Sequence, residues 1–160
     1  MDTVAFEPAA KWLLFVHFVA GVIVLSTIVH LLWRMVDYLR GHGGQRFRVW
    51  LHSVILAIGY VVCFVSGALV YPTFRVRVRA EFFDQAIPWA TGLFETKEHW
   101  ASIGLPAVLG LLLLAWPLTQ AKPEDRRRIV PIYIGLAVVV LGIVGYNVWA
   151  GWYLSTILCV

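Results

Sequence analysis

The chain has 160 residues, of which 61% are hydrophobic and 14% charged, and its mean hydropathy is +0.80. Soluble domains carry about 25% charged residues, so this composition excludes an ordinary water-soluble domain and indicates an integral membrane protein. The net charge of +4 and the pI near 9.3 suit basic loops facing anionic lipid and call for no nucleic-acid partner.

Charges are confined to ends and loops, leaving uncharged runs over 12–33, 49–74, 99–121 and 129–160. Each exceeds the roughly 20 residues a helix needs to cross the hydrocarbon core. The expected fold is all-α: one membrane domain over 1–160, a four-helix up-down bundle with helices at about 10–39, 49–72, 97–120 and 129–153 and an outward interfacial loop at 73–96. The opening residues, with Asp2 and Glu7 and no basic cluster, lack the n-region of a cleavable signal, so the first apolar run is expected to be retained.

Lysine and arginine set the expected orientation. One side holds Arg34, Arg40, Arg46, Arg48, Lys122, Arg126, Arg127 and Arg128, and the other holds Lys11, Arg75, Arg77, Arg79 and Lys97. Eight against five puts the two short basic loops in the cytoplasm and both termini outside.

The first helix carries His17 and His30, thirteen residues or about 20 Å apart along the axis, enough to put one in each leaflet. They differ by about 140° around the helix and address different neighbours. His30 lies four residues inside Arg34, and His52 on the second helix lies four residues inside Arg48. The two histidines therefore sit at matching depth on adjacent helices, the arrangement that gives a haem iron two axial ligands. A histidine tucked against a carbonyl is the plainer reading, but ionisable groups at membrane depth are rare and usually functional.

Along the second helix Gly59, Cys63 and Ser66 share the face of His52 to within about 40°. That lane leaves room for a flat macrocycle or for a closely packed helix. Cys63 and Cys159 form neither CxxC nor CxxCH, which argues against a thiol redox motif and against covalently attached haem.

Beyond the second helix, Phe74 to Ala80 alternates arginine with apolar residues, as in a short strand or extended stretch. Glu81 to Phe94 looks like an interfacial amphipathic helix interrupted by Pro88. This segment is read as a lid in the headgroups, with Arg75, Arg77 and Arg79 available to neutralise haem propionates or dock an acidic redox partner.

The third helix places His99 on the outward side, in the leaflet of His17, which opens a second bis-histidine site. His17 lies six residues past Lys11 and His99 two past Lys97, an axial mismatch of about 6 Å that tilt or an early start to the helix would remove. Glu95, Glu98 and His99 offer a weaker metal-binding alternative, without HExxH or a comparable spacing. The fourth helix has no histidine. Its glycines allow close approach, Asn147 is its conspicuous polar residue, and Trp149, Trp152 and Tyr153 read as an aromatic belt.

With His17, His30, His52 and His99 on three of four helices and an uncharged interior, the pattern resembles the four-helix b-type cytochromes of the membrane, such as the bacterial cytochrome b561 group and the haem-bearing anchors of respiratory dehydrogenases. The resemblance is architectural, and the histidine-free fourth helix departs from the ligand distribution of the b561-like proteins. It implies electron transfer across a membrane, expected to be the bacterial inner membrane, with haem b as cofactor. Two haems are expected, at His30/His52 and His17/His99. Gly59 would give the macrocycle room, while Arg34, Arg48 and Arg75 would tune or neutralise it. A quinone and an outward-side redox protein are the implied partners, in a carrier or complex subunit rather than a self-contained enzyme. The rival readings are a cofactor-free anchor or assembly subunit and, with no intramembrane acid to complete a relay, a proton or metal transporter.

Overall fold

The structure is a computed structural model that describes residues 4–40 and 46–158. His42, Cys159 and the side chain of Arg48 lie outside the described residues. A single 3-10 turn, Glu7–Ala9, leads into α1 (Ala10–Leu39), followed by α2 (Arg46–Phe74), α3 (Pro88–Gln120) and α4 (Pro123–Leu158). All four helices are long and apolar enough to cross a membrane. Helices suit that setting because every backbone N–H and C=O is paired within its own segment.

The helices close a ring in chain order, α1 against α2, α2 against α3, α3 against α4 and α4 back against α1. The core is an apolar column with Val24, Ile28 and Leu31 of α1, Leu56 and Ala57 of α2, Val108 and Leu111 of α3, and Tyr133, Ala137 and Val140 of α4. The outer surface carries large hydrophobic side chains such as Trp12, Phe18, Leu113 and Trp152. Apolar residues both inside and outside are what a bundle facing lipid requires.

The region between the second and third helices differs from the expected loop. No strand forms among the described residues; α2 passes directly into a nine-residue π-helix, Arg75–Phe83, and one further helical turn, Asp84–Ala86. Alternation of arginine and valine suggested an extended chain, but spacings of four and five win. Phe74, Val78 and Phe83 come to one side and pack with Ala90, Leu93, Phe94 and Leu154. Arg77 reaches Glu81 on the next turn. Only Ile87, whose φ of −145° and ψ of 64° are non-helical, breaks the helix, and Pro88 starts α3. Proline fits the first turn because its missing N–H has no helical acceptor there. The third helix thus begins nine residues before the expected start at 97, and the segment 73–96 is a helical cap rather than a loop.

The cap is cross-linked by charge. Arg77 pairs with Glu7 at 2.9 Å and with Glu81 at 3.4 Å, and Arg79 pairs with Glu95 at 2.9 Å and with Asp84 at 3.4 Å. These pairs tie the π-helix to the start of α1 and to the first turns of α3. The four-helix end with the cap is called the cap end below, and the opposite end, where α1 turns into α2, the hairpin end.

Candidate functional site

At the hairpin end, α1 and α2 bring the rings of His30 and His52 together. Their planes are parallel to within 5° and their centroids lie 5.2 Å apart. The residues are neighbours across the seam because Leu31 and Ser53, one position on, turn into the core and are fully buried. Ser53 Oγ donates to the Val49 carbonyl at 2.9 Å and accepts from the Tyr133 hydroxyl at 2.6 Å. This buried chain fixes the rotation of α2 against α4 and turns His52 toward the seam.

The pair faces outward rather than into the filled core, with the His30 side chain exposed and that of His52 half-buried. Residues seven apart on a helix lie within about 20° of one another, so His30 continues the stripe of Val16 and Ile23, and His52 that of Gly59. Those stripes line an open, wholly apolar groove of about 400 Å³ along the same seam, with Val19, Ile55 and Ile58 among its walls. Gly59 serves the helix contact as well, since a Cβ there would sit 3.2 Å from a Val24 methyl. One turn beyond His30, Arg34 carries a buried Nε with no hydrogen-bond acceptor among the described residues.

The residue types are those a haem would use. With metal–nitrogen bonds of about 2.0 Å, two imidazoles on one iron have ring centroids about 6 Å apart and point their nitrogens at it within the ring planes; His30 and His52 are stacked at 5.2 Å, so both rings would turn about their side-chain bonds to face one iron. The unpaired Arg34 Nε is a donor for a propionate, and the groove is an apolar slot beside the ring pair.

His17, at the cap end, is held differently. Its Nδ1–H donates to the Cys63 carbonyl at 2.8 Å, and the Cys63 thiol points back to the His17 carbonyl at 3.6 Å. Gly67 makes the approach possible, for a Cβ there would lie 3.1 Å from the imidazole. The lane of small residues beside His52 is therefore, at its cap end, a helix-packing lane. His99 lies on the exposed face of α3, where its Nδ1–H donates to the Glu95 carbonyl at 2.7 Å. No ring contact or hydrogen bond joins His17 to His99 among the described residues. Glu95 is occupied by Arg79, and no group of three or more His, Cys, Asp or Glu side chains suited to a bare metal ion occurs among the described residues. Arg75 is exposed on the π-helix.

No family model, curated protein or solved structure matches the chain. The function is therefore argued from the geometry of its own residues.

Two polar features have no distinct signal in the sequence pattern. Tyr133 reads as one more aromatic of an apolar helix, and only the hydroxyl partner that a buried tyrosine implies could have singled it out. Lys97 reads as an end-of-helix charge; the early start of α3 draws it into the bundle, where its Cε is 3.6 Å from the position of a Gly151 Cβ.

Proposed function

We propose that this protein is a membrane-bound b-type cytochrome that carries one haem b per chain between His30 and His52. The parallel imidazole pair on adjacent helices is the observation that carries the reading. Bound there and held by two neutral imidazoles, a haem would supply one-electron exchange rather than oxygen binding. The chain's own residues hold and tune it. His30 and His52 would donate nitrogen lone pairs, Arg34 would offer its Nε to a propionate, and the apolar groove beside Ile23, Ile55 and Gly59 would shield the macrocycle from water. Arg48 stands next to this site in sequence and Arg75 at the far end. A second haem between His17 and His99 forms no part of the proposal, because His17 is engaged with α2 and His99 faces away on α3.

The basic-loop bias supports a bacterial inner-membrane location with the hairpin end in the cytoplasm. Membrane quinone or an outward-side redox protein is the exchange partner in this reading, and lipid is the surrounding solvent. The filled core favours a second reading, a cofactor-free anchor of a larger complex, since nothing in the bundle centre requires a ligand.

Expression with abundant haem, followed by dithionite reduction and a pyridine haemochromogen assay, separates the two. The cytochrome reading expects a low-spin b-type spectrum with one haem per chain, lost in both His30→Ala and His52→Ala. A purified, folded protein without a Soret band, or either variant with an unaltered spectrum, overturns it.

A further inference from the structure

The histidine pair lies on the skin of the bundle rather than in its centre. Ile28 and Leu31 of α1 and Ser53 and Leu56 of α2 fill the space behind it and are completely buried. A flat macrocycle between the two imidazoles therefore has no room inward, and stands in the seam with one edge in lipid. On that side the way is open. His30 is exposed and His52 half-buried, and Ile23, Ile55 and Ile58, which wall the groove leading from them toward the cap, are 43%, 39% and 61% exposed.

The ties that hold the helices together run elsewhere. His17 joins α1 to α2 through the Cys63 carbonyl, Tyr60 joins α2 to α3 by donating from its hydroxyl to the Ala101 carbonyl at 2.8 Å, and Ser53 joins α2 to α4 through Tyr133. None of these bonds involves His30, His52 or Arg34, and the core column closes without them. A ligand that adds nothing to the core is not needed to form it, and its binding only shifts stability by mass action.

Depth along the seam adds an orientation. Arg34, with its buried Nε, lies one turn or about 6 Å beyond His30 toward the hairpin end, next to the exposed Trp33. Tryptophans collect at headgroup level. Ile23 lies two turns, about 10 Å, on the other side of His30, in the hydrocarbon. Haem is itself amphiphilic, with two propionates on one edge and apolar substituents on the others. Dissolved in a leaflet it keeps the propionates at the headgroups, because carrying charge into hydrocarbon is costly. The seam offers its contacts in the same order, Arg34 outermost, the imidazoles next, and Ile23 and Ile55 deepest.

Resting on the cytochrome reading, we propose that the folded chain takes haem sideways from the leaflet at the hairpin end and gives it back by the same route. The exchange requires no opening of the bundle and no reversal of the haem in the bilayer; the two rings turn about their side-chain bonds to meet the iron. Besides moving electrons, the protein then trades haem with a pool dissolved in the membrane.

Haem-free protein in phosphatidylcholine liposomes, given haemin dissolved in the same bilayers, tests it. Circular dichroism should show the haem-free chain as helical as the loaded one, and a low-spin Soret band should then grow to one haem per chain. Diluting the liposomes about tenfold with buffer leaves the ratio of haem to lipid unchanged, so lateral loading should keep its rate, whereas loading through water would slow in proportion. Folded Arg34→Gln should release haem to empty liposomes about tenfold faster, since a lost contact acts mainly on dissociation. A haem-free chain that has lost its helicity, a folded one that takes no haem from the bilayer, a rate that falls with dilution, or unchanged release from Arg34→Gln overturns the proposal. A chain that fails here yet carries haem when made in haem-rich cells leaves the cytochrome reading standing; haem by neither route overturns both.

Discussion

At the cap end His17 lies between two helices with its Nδ1 bonded to a Cys63 carbonyl and its ring against Gly67, while at the hairpin end His30 and His52 lie ring beside ring on the outer seam of the same two helices. The same side chain on the same helix pair thus has two fates. The difference is the depth of the approach. Where Gly67 lets α1 close on α2, an imidazole becomes a bridge between backbones; where Leu31 and Ser53 fill the core, the neighbouring histidines are turned outward to meet each other. A histidine within a membrane helix is therefore no sufficient sign of a ligand. Its partner on the facing helix decides.

Exchanging the two fates gives the largest expected effect. His52→Ala should abolish the haem spectrum, whereas His17→Ala should leave the spectrum intact and destabilise the fold by about 0.5–1.5 kcal/mol, one lost hydrogen bond, since the Cys63 carbonyl keeps the Ser66 hydroxyl as a donor. Thermal unfolding in detergent, followed at once by circular dichroism and by the Soret band, reads both outcomes. A haem spectrum lost with His17 would break the comparison.

Tyr133→Phe is expected to act at one remove. Ser53 keeps its own bond to the Val49 carbonyl, so the loss is about 0.5–1.5 kcal/mol of stability. Because α2 also loses its tether to α4, the ligand field at His52 should change, visible as a shift of the low-spin signals in electron paramagnetic resonance. The smallest effect is expected from Arg77→Ala at the cap. Its pairs with Glu7 and Glu81 are partly solvent-exposed, so the melting temperature should fall slightly at low salt and less at high salt, where screening weakens the attraction.

Four apolar runs, each bounded by charge, were enough to read four membrane-length helices, because burial of backbone polar groups in lipid leaves a helix as the outcome for an apolar segment of that length. Matching the arginines at the two sides of the basic turn likewise placed His30 and His52 at one depth, a one-dimensional count along the helix axis. The cap is not legible in the sequence for a physical reason. Over the seven residues Phe74 to Ala80 the alternation of arginine and apolar residues does not settle between an extended chain and a wide helix, and the choice falls to Phe74, Val78 and Phe83 meeting Leu154 from the far end of the chain.

Length, hydrophobic runs and charge positions alone determined the number of spans, their order and the level of each histidine. Tertiary structure decided which way each ring points. Rotation of a helix about its axis depends on contacts with partners remote in sequence, such as Tyr133 on Ser53 and Gly67 on His17.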